Sequence, residues 1–223
     1  MEEKEKFSVD TEDLKKETKD TVNQVKDTIK NVDFKNDAVA TKGFLKEMFT
    51  NPIEAIKRAA SSEEGIFKKA IMILLVYIVA ELAYAILYVL KYGEFSGFMD
   101  NIMDIVSGAL YPIAFVLVPA VIVYVMNKNN KKPLTTVIAT MIVGAVPVII
   151  NSVIDLVDFF VSGLTIVTGP IGTMLSALSI ILTYFGMKDL FAEEDDAKFI
   201  KKYAVIKVLA AFILVVLGRI GIV

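Results

Sequence analysis

The stretch IMILLVYIVAELAYAILYVL, residues 71–90, constrains the fold of this chain more than any other feature. The hydrocarbon core of a bilayer is about 30 Å thick, and roughly 20 apolar residues in an α-helix cross it. The chain has five segments of this kind, at residues 70–90, 105–126, 134–157, 164–187 and 204–222. Lipid permits only helices or closed barrels, and no alternating strand pattern is present. The sequence therefore predicts an all-α, polytopic integral membrane protein with five transmembrane helices.

Charged residues are concentrated before the first apolar segment. Of the 223 residues 55% are apolar and the mean hydropathy is +0.60, whereas soluble domains are about 45–50% apolar. We expect a charged helical or disordered cytoplasmic arm at residues 1–41, an amphipathic interfacial segment at 42–69 and a membrane domain at 70–223. A weak apolar stripe in the arm leaves a marginal helix, a short coiled-coil seam and docking on the membrane surface open.

The interfacial segment has two signals of helix. An apolar face is formed by Phe44, Leu45, Met48 and Phe49. Asn51 and Pro52 then have the residue types preferred at the N-cap and first position of a helix, and Glu54 follows near its start. We expect an interfacial helix that leads into the first span.

Connections rich in lysine and arginine alternate with connections that have few. This pattern predicts the orientation of the chain in the membrane. The basic connections carry Lys57, Arg58, Lys68, Lys69, Lys128, Lys131, Lys132, Lys188, Lys198, Lys201 and Lys202. The opposite set has only Lys91 and Arg219. This bias predicts a cytoplasmic N-terminus and an extracytoplasmic C-terminus, and the Lys-, Asn- and Ile-rich composition indicates a bacterial cell membrane.

The composition and the motifs argue against several classes of function. The chain has no cysteine and no histidine, which removes thiolate metal sites and the commonest general base. A formal net charge of −2 gives no reason to expect nucleic acid as a partner. No catalytic motif is present. We expect a protein that is not an enzyme, with no catalytic, cofactor-binding or metal-binding residues and no cofactor.

Polar residues interrupt the first apolar segment on one helical face. These residues are Tyr77, Glu81, Tyr84 and Tyr88. A lipid-exposed charge at mid-depth costs about 2.5–3.5 kcal/mol on insertion scales, so this face should turn into the bundle. Lys207 of the fifth segment is the predicted partner of Glu81.

A second group of charges lies near the other side of the membrane. Asp155 and Asp158 end the third segment, and Arg219 ends the fifth at similar depth. Two interpretations of all these residues stay open: contacts that hold helices together, which we favour, and a proton or ion path gated by Glu81. The small residues Gly169, Gly172, Ser176 and Ser179 of the fourth segment predict a packing seam.

Three stretches resemble the Yip membrane-domain family, the Ypt/Rab-interacting proteins and their bacterial relatives. KKPLTTVIATMIVGAVPVIINSVIDLV resembles the third span of that family, with Gly144, Ala145 and Pro147 at its small-residue and proline core. LSALSIILTYFGMKDLF is similar to the fourth span, and TNPIEAIKRAA to the segment before the first helix. The resemblance covers roughly residues 49–220.

This resemblance implies a non-enzymatic membrane protein that organises membranes or recruits partners. The alternative is a small oligomeric transporter or ion-conducting protein that uses Glu81. We expect the partners to be the lipid bilayer and either further copies of the chain or other membrane proteins.

Overall fold

The computed structural model describes residues 11–92, 97–127, 132–161 and 165–222. Residues 1–10 of the predicted arm and Lys128 and Lys131 of the second basic connection lie outside these ranges. Within the ranges the fold is all-α, as predicted. The helices are α1 (Thr11–Lys30), α2 (Phe34–Thr50), α3 (Pro52–Ala60), α4 (Ile66–Tyr92), α5 (Phe98–Met126), α6 (Leu134–Phe160), α7 (Thr165–Phe191) and α8 (Asp196–Arg219).

Four helices, α4 to α7, are long and apolar enough to cross a membrane. They coincide with the first four predicted segments and are consistent with an integral membrane protein. Each extends several residues beyond the predicted bounds, because an apolar pattern omits the polar turns at helix ends. Helix α8 has 24 residues but carries Lys202, Lys207 and Arg219, and it is not among these four.

Helix α6 is the centre of the bundle and packs against α3, α4, α5 and α7. Its first half is buried almost without interruption, from Leu134 to Pro147. We call the end of the bundle at which α4, α6 and α8 begin the basal end, and the opposite end the distal end. The buried half of α6 lies toward the basal end, where the short helix α3 also packs.

The seam between α6 and α7 depends on small residues. Ser179 Oγ donates a hydrogen bond to the carbonyl oxygen of Gly144 over 2.8 Å. A Cβ atom at Gly172 would lie 2.5 Å from Asn151 Oδ1, whereas one at Gly169 would meet nothing within 4 Å. The predicted packing seam therefore includes Gly172 and Ser179 but not Gly169, and Ser176 is exposed.

Helix α3 buries its apolar face inside the protein. Ala55 and Ile56 are 0% exposed, and a Cβ atom at Gly186 of α7 would lie 2.8 Å from Ile56 Cγ1. The helix begins at Pro52 after Asn51, as predicted, but the Asn51 side chain makes no capping hydrogen bond. An amphipathic pattern does not show whether lipid or protein covers the apolar face, and here α6 and α7 cover it.

An ion network fastens α2 and α3 to the start of α4. The Arg58 guanidinium binds Glu47 of α2 and Glu63 of the connection before α4. The hydrogen bond from Arg58 lowers the pKa of the Glu63 carboxyl. Ser62, whose φ of 64° is left-handed, hydrogen-bonds Thr136 across 2.7 Å. Both contacts hold this connection against the basal end.

Helix α1 lies on the same end and contacts α4 and α6. Thr21 is buried, and Val25 packs against the core. Val22 and Ile29 are each 45% exposed. One side of α1 thus docks on the bundle. Another side of the helix exposes the apolar side chains of Val22 and Ile29.

Candidate functional site

An open pocket of about 410 Å³ lies between α4 and α6, toward the distal end. Its lining residues are Glu81, Tyr84, Ser152, Asp155, Asp158 and Phe159. We call it the acidic pocket, because three of the six are carboxylic acids. It brings together Glu81 and the two aspartates that the sequence assigned to separate ion pairs.

Glu81 is half-buried, and its carboxylate has no hydrogen bond or ion pair with another residue in the described part of the chain. The side chains of Tyr77 and of Tyr111 in α5 lie near it, and Tyr77 is 1% exposed. A residue that joins helices would bind a partner on a neighbouring helix, and Glu81 does not.

Tyr84 and Tyr88, the other two tyrosines of the predicted polar face, lie nearer the distal end. Tyr84 lines the acidic pocket, and Tyr88 is 47% exposed. Their rings stack with centroids 6.4 Å apart. The predicted polar face of α4 therefore turns from the buried interior at Tyr77 to the surface at Tyr88.

The two aspartates are held by neutral donors rather than by cations. Asn151 Nδ2 donates to Asp155 Oδ2 over 2.9 Å, and Thr168 Oγ1 donates to Asp158 Oδ2 over 2.5 Å. Asp158 Oδ1 and Asn151 Oδ1 are buried acceptors without a hydrogen-bond partner. Buried polar atoms in native proteins nearly always have a partner. Asn151 Oδ1 lies in the seam against Gly172, whereas Asp158 belongs to the lining of the acidic pocket.

Aromatic rings form the remaining wall of the pocket. The rings of Tyr84 and Phe159 meet edge to face, with centroids 5.9 Å apart. Lys91 Nζ lies 4.6 Å from the centroid of Phe159 and 5.2 Å from that of Tyr92. A cation is attracted to the face of an aromatic ring within about 6 Å. The Lys91 ammonium over Phe159 shows that this aromatic wall accepts a cation.

The chemistry of this pocket suits an organic ammonium ion. Among the described residues no group of three acidic side chains is spaced to hold a metal ion. Carboxylates and aromatic ring faces that line one pocket instead suit a cation with a hydrocarbon surface. Aromatic cages recognise cations of this kind.

The predicted cations lie elsewhere. Lys207 lines a different pocket, between α5, α6, α7 and α8. Arg219 is exposed at the end of α8, and no ion pair joins it to Asp155 or Asp158 in the described ranges. Because α5 packs against both α4 and α8, it keeps the charges of α8 away from Glu81. The structure does not bring together either pair that the sequence suggested.

No protein-family model, curated protein or solved structure matches this chain. The Yip resemblance therefore stays a prediction, and the function has to be argued from the pocket itself.

Sequence reasoning missed the neutral residues of the site. Asn151, Ser152 and Phe159 precede or follow Asp155 by three or four positions, which places them on its helical face. Grouping residues by that spacing around Asp155 would have found them. Thr168 approaches from α7, and no spacing within one helix could have revealed it.

Proposed function

We propose that this protein is a five-span membrane protein that takes small organic cations into the acidic pocket and carries them across the membrane. The observation that carries the proposal is the Glu81 carboxylate, which shares a pocket with two aspartates and makes no hydrogen bond or ion pair with a described residue. This is the transporter alternative that the sequence left open.

The energetics of burial support a role for Glu81 in binding. An ionisable residue inside a membrane costs free energy and commonly marks a substrate path. A structural role offsets that cost through a hydrogen bond or ion pair with another helix, and Glu81 makes neither with the described residues. A bound ammonium would supply the missing charge, and the ring of Tyr84 would add about 0.5–2 kcal/mol, while Lys91 already lies over the ring of Phe159.

The proposal includes α8 as the fifth span and an N-terminus in the cytoplasm. With 24 residues, α8 is about 36 Å long, which exceeds the hydrocarbon thickness. Lys57, Lys132 and Lys188 line one pocket at the basal end. Basic residues collect on the cytoplasmic side, so we assign the basal end to the cytoplasm.

The orientation can be tested by labelling single cysteines, because the natural chain has none. In intact cells, we expect an impermeant maleimide to label Ile222→Cys and not Ser61→Cys. In inverted vesicles the pattern should reverse. Labelling of both positions from the same side would exclude α8 as a span.

The binding proposal is tested with tetramethylammonium on the purified protein in nanodiscs. We expect saturable binding of one ion per chain that an equal concentration of Na⁺ does not displace, because Na⁺ offers no hydrocarbon surface to the rings. Absence of saturable binding, or displacement by equal Na⁺, would contradict an organic ammonium as the ligand.

A second function, the membrane organisation that the Yip resemblance implies, is favoured by α1. This helix is docked at the basal end and exposes Val22 and Ile29, which are available to a partner. If α1 organises membranes, proteoliposomes that contain the protein should cluster in a light-scattering assay. Deletion of residues 2–30 should then abolish this clustering. Clustering that survives the deletion would exclude α1 as its cause.

A further inference from the structure

The side chain of Lys207 lies in a second pocket of about 170 Å³, separate from the acidic pocket. All four of the helices α5–α8 contribute to its walls, which include Phe115, Met141, Thr183, Ala210 and Leu214. We call it the Lys207 pocket. Most of its lining is apolar, so an ammonium group there has unusual surroundings.

The Lys207 ammonium has no anionic partner. Within the described ranges no carboxylate forms an ion pair with it, and Nζ lies 5.5 Å from the centroid of the Tyr203 ring. The two hydroxyls of the pocket already donate to backbone oxygens: Ser179 Oγ to Gly144 over 2.8 Å, and Thr183 Oγ1 to Ser179 over 2.5 Å. Lys207 is therefore the charged donor of this pocket, and no carboxylate of the described residues neutralises its charge.

Lys207 lies inside the apolar part of α8. It follows residue 204, where the fifth apolar segment begins, by three positions, or about 4.5 Å along the helix, so it lies nearer the basal boundary than the centre of the membrane. A lysine within a membrane helix that has no counter-ion still costs free energy. An anion in the pocket would offset this cost. A single ammonium matches a single negative charge.

The surroundings of the pocket select an anion with a long apolar chain. Ser179 and Thr183 of α7 lie on one side of it, and Ala210 and Leu214 of α8 on the other. Its walls are largely apolar, and Phe115, Met141 and Leu214 line the same pocket as Lys207. The first methylene groups of an acyl chain would lie against these walls, while the carboxylate reached the ammonium.

We propose that the Lys207 pocket binds the carboxylate of a long-chain fatty acid. The Lys207 ammonium is the counter-ion, and the acyl chain lies along α7 and α8. The small volume fits a carboxylate and its first methylene groups. This site is independent of the acidic pocket and of cation transport.

The test measures binding of oleate, oleyl alcohol and lysophosphatidate to the full chain in phosphatidylcholine nanodiscs. We expect wild-type protein to bind oleate at least tenfold more tightly than either other lipid. Lys207→Met should weaken oleate binding at least tenfold and leave oleyl alcohol unchanged, whereas Lys207→Arg, which keeps the charge, should retain oleate. Lys201→Met is the matched control, because Lys201 is an exposed lysine of the same helix, and it should bind oleate like wild type.

Three results would overturn the proposal. Equal binding of oleate and oleyl alcohol to wild type would show that charge does not select the ligand. Tighter binding of lysophosphatidate would assign the site to a phospholipid phosphate. Unchanged oleate binding by a folded Lys207→Met variant would place the carboxylate elsewhere.

Discussion

Replacing Gly186 with valine is expected to lower the free energy of unfolding by about 2–3 kcal/mol, in the range of overpacked cores. A Cβ atom at this position would lie 2.7 Å from Thr140 Cγ2 and 2.8 Å from Ile56 Cγ1. Ile56 is 0% exposed and anchors α3 against α6 and α7. The side chain therefore has little space to move, and α3 would have to shift. Unfolding of the purified protein in detergent, followed by circular dichroism, measures the loss.

Gly43→Val is the control for this prediction. Gly43 is exposed on α2, and a Cβ atom there meets nothing within 4 Å. The same chemical change should alter the free energy of unfolding by no more than about 0.5 kcal/mol, as for exposed sites. Equal losses in both variants would mean that valine acts through the helix backbone and not through contact with α3.

Glu81→Gln is expected to weaken tetramethylammonium binding at least tenfold, which corresponds to about 1.4 kcal/mol. Glutamine keeps the size of the side chain and removes its charge, so the pocket loses one of its three carboxylates while its shape is preserved. Because Glu81 has no hydrogen bond or ion pair with a described residue to lose, and its charge is costly inside a membrane, the free energy of unfolding should not decrease. Binding in nanodiscs and unfolding in detergent provide the two readouts.

Glu64→Gln is the control for the loss of one negative charge. Glu64 is exposed in the connection between α3 and α4, away from the acidic pocket. This variant should bind tetramethylammonium like wild type. If Glu81→Gln binds like wild type and is less stable, then Glu81 serves the packing of the helices, as the sequence favoured.

Most of the helical architecture could be predicted from apolar length alone. The first four segments match α4 to α7 because a run of some twenty apolar residues has few alternatives. Helix α8 does not meet the same criterion, since Lys202, Lys207 and Arg219 lower its apolar character. The position of α3 was not predictable, because whether Ile56 faces lipid or protein depends on Gly186, which is 130 positions further along the chain.

The candidate site shows where such reasoning from sequence stops. The sequence identified Glu81 from the cost of charge in a membrane, and Asp155 and Asp158 from their place at the end of the third segment, and the structure places all three in one pocket. The pairing with Lys207 was argued from depth alone. Depth does not show which helices are neighbours, and α5 separates α8 from α4. The acceptor oxygen of Asp158 that has no partner depends on side-chain positions that no sequence pattern encodes.

Uptake of labelled tetramethylammonium into proteoliposomes tests the central claim most directly. Wild type should give saturable uptake above that of protein-free liposomes, Glu64→Gln should match it, and Glu81→Gln should fall to the protein-free level. Wild-type uptake no greater than that of protein-free liposomes, or uptake that Glu81→Gln leaves unchanged, would contradict transport through the acidic pocket.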